Sequence, residues 1–251
     1  APAQSIRALA VTEDGATAVS SDTGGAVRVW PTLDGTREPV VVAMRRPVSL
    51  AIVRDAKDLE IAGIDGAGQL ELAWVSANGE PANRSSVELA LAAIAVHATQ
   101  NGFLVERDDQ HLVLVAPSGT SAGEVEPPPG SHIAAIAVHG GVVVALLDSA
   151  GGARLRTVFT LRGLAWDDAS PVVPIAPRGI ALSPSHKRIA AVIQNAQSTR
   201  LALFDRARGR RVLLGPDGEF VDPTLAEIGF LDEQTVVVRT SGTPELWHAP
   251  T

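Results

Sequence analysis

Short apolar runs separated by turn residues recur along the whole chain, and they recur in a fixed order. An identical pentapeptide, AIAVH, stands at 93–97 and at 135–139. The same window finds ALAVT at 8–12, LAIVR at 50–54, GIALS at 179–183 and EIGFL at 227–231. The starts at 8, 50, 93, 135, 179 and 227 lie 42 to 48 residues apart. Each pentapeptide leads into a turn (TEDG, RDAK, HATQN, HGG, SPSHK, LDEQ) and then a second run (ATAVSS, DLEIAG, GFLVER, VVVALL, RIAAVI, TVVVRT). Another turn follows, often of Asp, Gly and Ser, and a third run closes the unit: AVRVW, QLELAW, HLVLVA, ARLRTVF, RLALFD, PELWHA. Alternating or continuously apolar β-branched runs of this length, bounded by turn residues, predict strands.

Weaker fourth-strand candidates lie between units at 39–44, 86–91, 171–175 and 210–214. The segment GEVEPPPG before the fourth unit makes a poor strand, because proline cannot donate to a ladder. Four short strands in a unit of about 40–45 residues is the period of a β-propeller blade. A helical solenoid is the rival for that period. It fails because no capped apolar pattern at 3.6-residue spacing runs beyond about 8 residues. The expected fold is therefore all-β, a single propeller domain over 1–251 with six blades of mostly four antiparallel strands. The last blade is expected to be three-stranded, or completed by the few residues before Ile6.

Trp30, Trp74, Phe159, Phe204 and Trp247 all stand at the end of the third run, five of the nine aromatic residues in a chain without Tyr. They predict a structural aromatic column, with Trp30 a core residue and Pro31 a strand terminator. On these features the chain resembles the WD-repeat propellers. SIRALAVTEDGATAVSSDTGGAVRVWPTLDG follows the family's order of strand, turn, strand, turn and Trp-ended strand. RGIALSPSHKRIAAVIQNAQSTRLALFD keeps a Ser-Pro turn and an aromatic followed by Asp, at Phe204 and Asp205. In four other units the residue after the aromatic is Pro31, Val75, Thr160 or His248, and the Gly-His pair is reduced to GSH at 130–132. The family's buried network of His, Ser, Asp and Trp is thus incomplete. Packed apolar strands are expected to hold the blades instead, since a half-satisfied buried network is costly. The resemblance implies, in bacteria, a sensor or scaffold module attached to a separate effector such as a kinase, an NTPase or a protease.

Composition narrows the function further. At 251 residues and 45% hydrophobic, the chain can bury a substantial core. A formal charge of −7 and a pI near 5.4 argue against broad nucleic-acid binding. Lys57 and Lys187 are the only lysines; with abundant Ala, Val and Gly, this points to a GC-rich bacterial genome. The absence of cysteine excludes disulfides, thiolate metal sites and a cysteine nucleophile. No apolar run reaches the roughly 18 residues of a membrane span. The start at APAQS, with neither Met nor a signal-peptide pattern, reads as a mature product or an excised domain, with a cytoplasmic location favoured and export the alternative.

Candidate chemistry is sparse. His97 and His139 end equivalent first runs and could form a metal pair, although a polar cap on a strand end is the simpler reading. Asp108, Asp109 and His111 in ERDDQH are ligand types, but they fall in a predicted turn where Asp is favoured for its backbone hydrogen bonds. DGAG at 65–68 and DGE at 217–219 lack the alternating carboxylates of a calcium loop. Gly-x-Ser-x-Gly elbows and phosphate-cradling glycine motifs are absent. No catalytic residue, metal or cofactor is assigned on these grounds.

Two longer segments are better suited to recognition. The first, 160–179, holds Trp166 beside Asp167 and Asp168, an aromatic anchor with a polar rim or, alternatively, a cover for a blade edge. The second, 205–220, gathers Arg206, Arg208, Arg210 and Arg211, a carboxylate-gripping patch or a charged edge strand that discourages pairing. EVEPPPGS at 124–131 reads as an extended connector. The expected function is a non-catalytic propeller binding protein or peptide. Its rivals are an exported propeller similar to those of envelope lipoproteins and transport accessory proteins, and an enzyme using the central funnel.

Overall fold

A computed structural model describes residues 5–55, 58–76, 80–150, 153–159, 164–166, 172–173, 177–194, 199–206, 211–213, 227–239 and 244–248. Strands and turns account for its regular structure, with no helix among the described residues. The chain divides into two compact units, Ala1–Glu126 with Leu161–Leu164, and Pro127–Thr160 with Ala165–Thr251.

The first unit contains three four-stranded antiparallel sheets, each laid down in sequence order. They are β1 (Ile6–Val11), β2 (Ala18–Asp22), β3 (Val27–Trp30) and β4 (Val40–Val42); β5 (Ser49–Arg54), β6 (Asp58–Ile64), β7 (Leu70–Ser76) and β8 (Pro81–Val87); and β9 (Ala93–Thr99), β10 (Gly102–Arg107), β11 (Leu112–Val115) and β12 (Ser121–Val125). Val19, Val27, Val29 and Val42 of the first sheet pack on Leu50, Ile52, Ile61 and Ala73 of the second. The second sheet's other face, with Ala62, Ile64, Leu70 and Leu72, packs on Val96, Phe103, Val105 and Val113 of the third. The second sheet is thus covered on both faces, which is why β6 reads as a nearly unbroken apolar run. Each such side chain contributes about 1.5–3 kcal/mol on burial.

The second unit repeats the arrangement with less regularity. Its sheets are β13 (Ser131–His139), β14 (Val142–Ser149), β15 (Ala153–Phe159), β16 (Ala165–Trp166) and β17 (Val172–Val173); β18 (Pro177–Leu182), β19 (Arg188–Gln194), β20 (Thr199–Asp205) and β21 (Arg211–Leu213); and β22 (Glu227–Phe230), β23 (Thr235–Arg239) and β24 (Glu245–His248). Ala137, Val144 and Leu146 meet Ile180, Leu182, Ile189 and Phe204 between the first two of these sheets. Ala190, Leu201 and Leu203 meet Val236 and Val238 between the second and third.

The small antiparallel sheets form a propeller-type arrangement, but the blade count needs correction. Among the described residues five sheets reach four strands, so there are five blades where the repeats predict six. Among the described residues the sixth repeat supplies the three strands β22–β24. Of the five residues before Ile6, the alternative expected to complete it, 1–4 lie outside the described residues, and Ser5 O accepts from Thr23 N at 2.9 Å in the first sheet. Two fourth strands also differ from expectation. In the second repeat the strand lies at Pro81–Val87 instead of 86–91. In the third, Ser121–Val125 pairs with β11 after all, since the strand ends before Pro127 and no proline has to donate.

One turn recurs between second and third strands. Asp22–Ala26 and Asp65–Gln69 are closed by the same two backbone bonds, with the Gly25 and Gly68 N–H groups donating to Asp22 O at 2.9 Å and Asp65 O at 3.1 Å. The Asp side chain accepts from Ala26 N at 3.0 Å in the first and from Gln69 N at 2.9 Å in the second, which is why Asp stands there. Counted from this shared turn, Trp30 is the fourth residue of its strand and Trp74 the fifth. A one-residue offset reverses the face of a strand, so the aromatic column is not one register. Phe204 is buried, Trp74 and Trp247 are half-buried, and Trp30 is exposed. The Phe159 side chain lies outside the described residues.

Neighbouring sheets are tied at their first turns. In the first unit, Arg54 at the end of β5 reaches the β1–β2 turn, donating to Thr17 Oγ1 and lying 3.6 Å from Asp14. In the second unit, Glu233 in the β22–β23 turn accepts from the backbone N and, at 2.8 Å, the hydroxyl of Ser185 in the β18–β19 turn. Arg188 donates to Glu233 O at 3.2 Å. Behind the first sheet, the buried Glu71 of β7 accepts from Arg45 N at 2.8 Å, and Ser21 donates to Pro47 O at 2.9 Å.

Candidate interaction surface

The first sheet has two faces, and only one is used within its unit. Ala8, Ala10, Val19, Val27, Val29, Val40 and Val42 face the second sheet. The strand register places Leu9 and Val11 opposite Ser20 and Ala18, those two opposite Arg28 and Trp30, and Val41 opposite Arg28. Leu9, Val11, Trp30 and Val41 therefore share the other face, where they are 57%, 45%, 37% and 62% exposed. Together they leave on the order of 300–400 Å² of apolar surface open, a size at which the largest patch on a soluble domain is often functional.

Trp30 is consequently not the core residue its place at a strand end predicted. Its indole N–H donates to Ser20 Oγ at 3.0 Å, which satisfies its polar end on β2 while the residue stays 37% exposed. Arg28 lies at the polar end of the same face, its Nη1 2.6 Å from Asp22 Oδ2. That guanidinium, followed by the Ala26 N–H, holds the Asp22 carboxyl below the usual carboxylate range. The face thus combines an aromatic, three aliphatic side chains and one neutralised ion pair. Its sequence signal was present in IRALAV, where residues of both parities are apolar, the pattern of a strand made to be covered on both sides.

The sequence-derived candidates are placed as follows. Trp166 belongs to the two-residue strand β16, pairs with Val158 and is half-buried. Arg206 follows β20, half-buried, with its N–H donating to Lys187 O at 2.9 Å. Arg211 opens β21 opposite Phe204. Asp167, Asp168, Arg208 and Arg210 lie outside the described residues, as does the turn at 217–219.

The ERDDQH segment carries an ion-pair network. Arg107, its side chain 7% exposed, binds Asp109 and lies 2.9 Å from Glu124 Oε1, while His111 Nδ1 is 2.6 Å from the same oxygen. The guanidinium occupies the carboxylates a cation would need, and its hydrogen bond lowers the Asp109 carboxyl from its ordinary range. Sequence reasoning overlooked Arg107, which is next to the residues it neutralises. His97 sits on β9 with Nε2 buried, and burial pushes the ring down to about 4, so it is neutral near pH 7. The imidazole beside His139 is that of His186, with ring centroids 5.3 Å apart. No cluster of three or more His, Asp or Glu suited to a metal occurs among the described residues.

No helix among the described residues is long and apolar enough to cross a membrane. No family model and no curated protein matches the sequence. Solved structures do match in shape. Hsv2 from Kluyvelomyces marxianus aligns with a TM-score of 0.67 at 10% identity, covering 98% of this chain and 77% of that one. Hydrazine synthase from Kuenenia stuttgartiensis aligns with a TM-score of 0.62 at 12% identity, covering 95% of this chain and 74% of the other. Both likenesses are propeller-like and, at such identity, concern the fold alone.

Proposed function

We propose that this chain is a non-catalytic, WD-repeat-type propeller that binds a protein or peptide, serving as the sensor or scaffold part of a larger bacterial signalling or effector protein. The observation that carries this reading is the uncovered face of β1–β4, on which Leu9, Val11, Trp30 and Val41 stand together on a rigid sheet. Rigid aromatic and aliphatic side chains with a neutralised ion pair at one end are the composition of an interface centre. The acidic chain and the absence of a catalytic constellation in the sequence support binding over chemistry.

A photo-crosslinking residue at position 41 tests the reading in cells of the source organism. A defined adduct with another protein is expected, lost on Leu9→Asp and absent when the probe stands at Ser118 on the third sheet. No adduct, an adduct within the same chain, or the same adduct from both positions would overturn it.

A further inference from the structure

The turn between first and second strands has the same build in sheets β1–β4 and β18–β21. In Thr12–Thr17 the Gly15 N–H donates to Thr12 O at 2.8 Å, Thr12 N to Thr17 O at 2.9 Å, and Thr17 N to Thr12 Oγ1 at 3.0 Å. In Ser183–Arg188 the His186 N–H donates to Ser183 O at 2.8 Å, Ser183 N to Arg188 O at 3.0 Å, and Arg188 N to Ser183 Oγ at 3.1 Å. The position that is Gly15 in one turn, with φ +69°, is His186 in the other, with φ +61°. Glycine takes this left-handed conformation without steric cost, whereas a side chain is strained there. The second turn thus carries an imidazole at a position where its own structural twin uses glycine, and conformational strain of this kind gathers at functional positions.

The imidazole at this position meets a second one. His139 ends β13 and leads into the Gly140–Gly141 hairpin, in which Gly140 has φ +56°. The packed layer formed by Ala137, Val144, Ile180, Leu182 and Ile189 holds the two hairpins side by side. Across it the rings of His139 and His186 stand with centroids 5.3 Å apart and planes at 60°. With metal–nitrogen bonds of about 2.0–2.1 Å and a tetrahedral angle, two imidazoles on one cation have ring centres roughly 5 Å apart.

We propose that His139 and His186 form a two-imidazole site for a divalent transition cation of the zinc, copper or nickel class. Imidazole suits these ions. Among the described residues the pair supplies two ligands, and no third His, Asp or Glu completes a cluster with it there. This goes beyond the binding role of the first sheet and does not depend on it.

Zinc titration of the whole chain by calorimetry, with melting curves recorded in parallel, tests the site. The wild type is expected to bind one zinc per chain and to melt higher with zinc than without. His186→Gly removes the ring and relieves the left-handed strain, so this variant is expected to fold at least as stably in chelator. It should lose both the saturable zinc heat and the zinc-induced shift, and His139→Ala should lose them too. His111→Ala is expected to retain both, which separates the pair from the His111–Glu124 contact. Absence of saturable binding in the wild type, its persistence in His186→Gly, or its loss in His111→Ala would each overturn the assignment.

Discussion

The connection between the first two sheets offers a test of which kind of bond organises this fold. Glu71 has a side chain only 2% exposed; it accepts the Arg45 N–H at 2.8 Å, and its Oε1 is 3.2 Å from Arg45 Nε. The two interactions differ in worth. The Arg45 side chain is 61% exposed, and a pair with one solvated partner contributes about 0–1 kcal/mol. The backbone bond to a buried carboxylate contributes about 1.5–3 kcal/mol, and removing the acceptor also strands a donor.

Arg45→Ala is therefore expected to cost less than about 1 kcal/mol, because the carboxylate keeps its backbone partner. Glu71→Ala should cost about 2–3 kcal/mol, a fall in melting temperature of roughly 4–12 °C for a chain of this size. Glu71→Gln, which keeps an oxygen acceptor but loses the charge, should fall between them. Urea unfolding followed by far-UV circular dichroism on the three variants measures these differences. If Arg45→Ala costs as much as Glu71→Ala, the ion pair is the tie and the reasoning from the backbone bond fails.

Two further outcomes follow from single residues. Trp30→Ala should cost about 1 kcal/mol or less, against the roughly 3–5 kcal/mol of a core aromatic; a loss in the core range would mean that its face is covered in solution. Glu60, buried on β6, has its carboxyl raised above the ordinary range by desolvation first and then by the charges of Asp55 and Asp58, against an opposing hydrogen bond from Trp74. The folded state therefore holds this proton more tightly than the unfolded one, and stability falls as pH rises from the ordinary glutamate range through the raised value. Glu60→Gln should match the wild type near pH 4 and exceed it near pH 7, and an advantage confined to the acid side would contradict the sign.

The strand order was legible in the sequence wherever apolar runs were long and their turns chemically marked. The ATAVSS, DLEIAG and GFLVER runs became the central strands, and Asp22 and Asp65 began the turns expected of them. Edge strands were harder, since pairing on one side only leaves little patterning: PANRSSV pairs with β7 although its composition is polar. Aligning aromatic residues by eye failed at Trp30 because insertions of one residue are invisible in composition yet reverse a strand's face. The contact between His139 and His186 was not legible for a related reason. His97 and His139 share a position in the repeat, but His139 lies beside His186, which belongs to the next sheet's turn and differs from its equivalent Gly15 in residue type.

The ties between first turns bear on how repeats of this kind could be exchanged. Asp14 receives Arg54 from the following sheet, whereas Ser185, with Arg188 close by, receives Glu233. The two joints have opposite electrostatic sense. A hybrid in which the β5–β8 repeat followed the β18–β21 repeat would point Arg54 towards Arg188, and one in which β22–β24 followed β1–β4 would point Glu233 towards Asp14. Repulsion at a mismatched joint is a means of discrimination as effective as attraction at a matched one. At these two joints the margins of the apolar layers thus carry charge in opposite order, and repeats recombined across them would meet like charges where the native neighbours meet a partner.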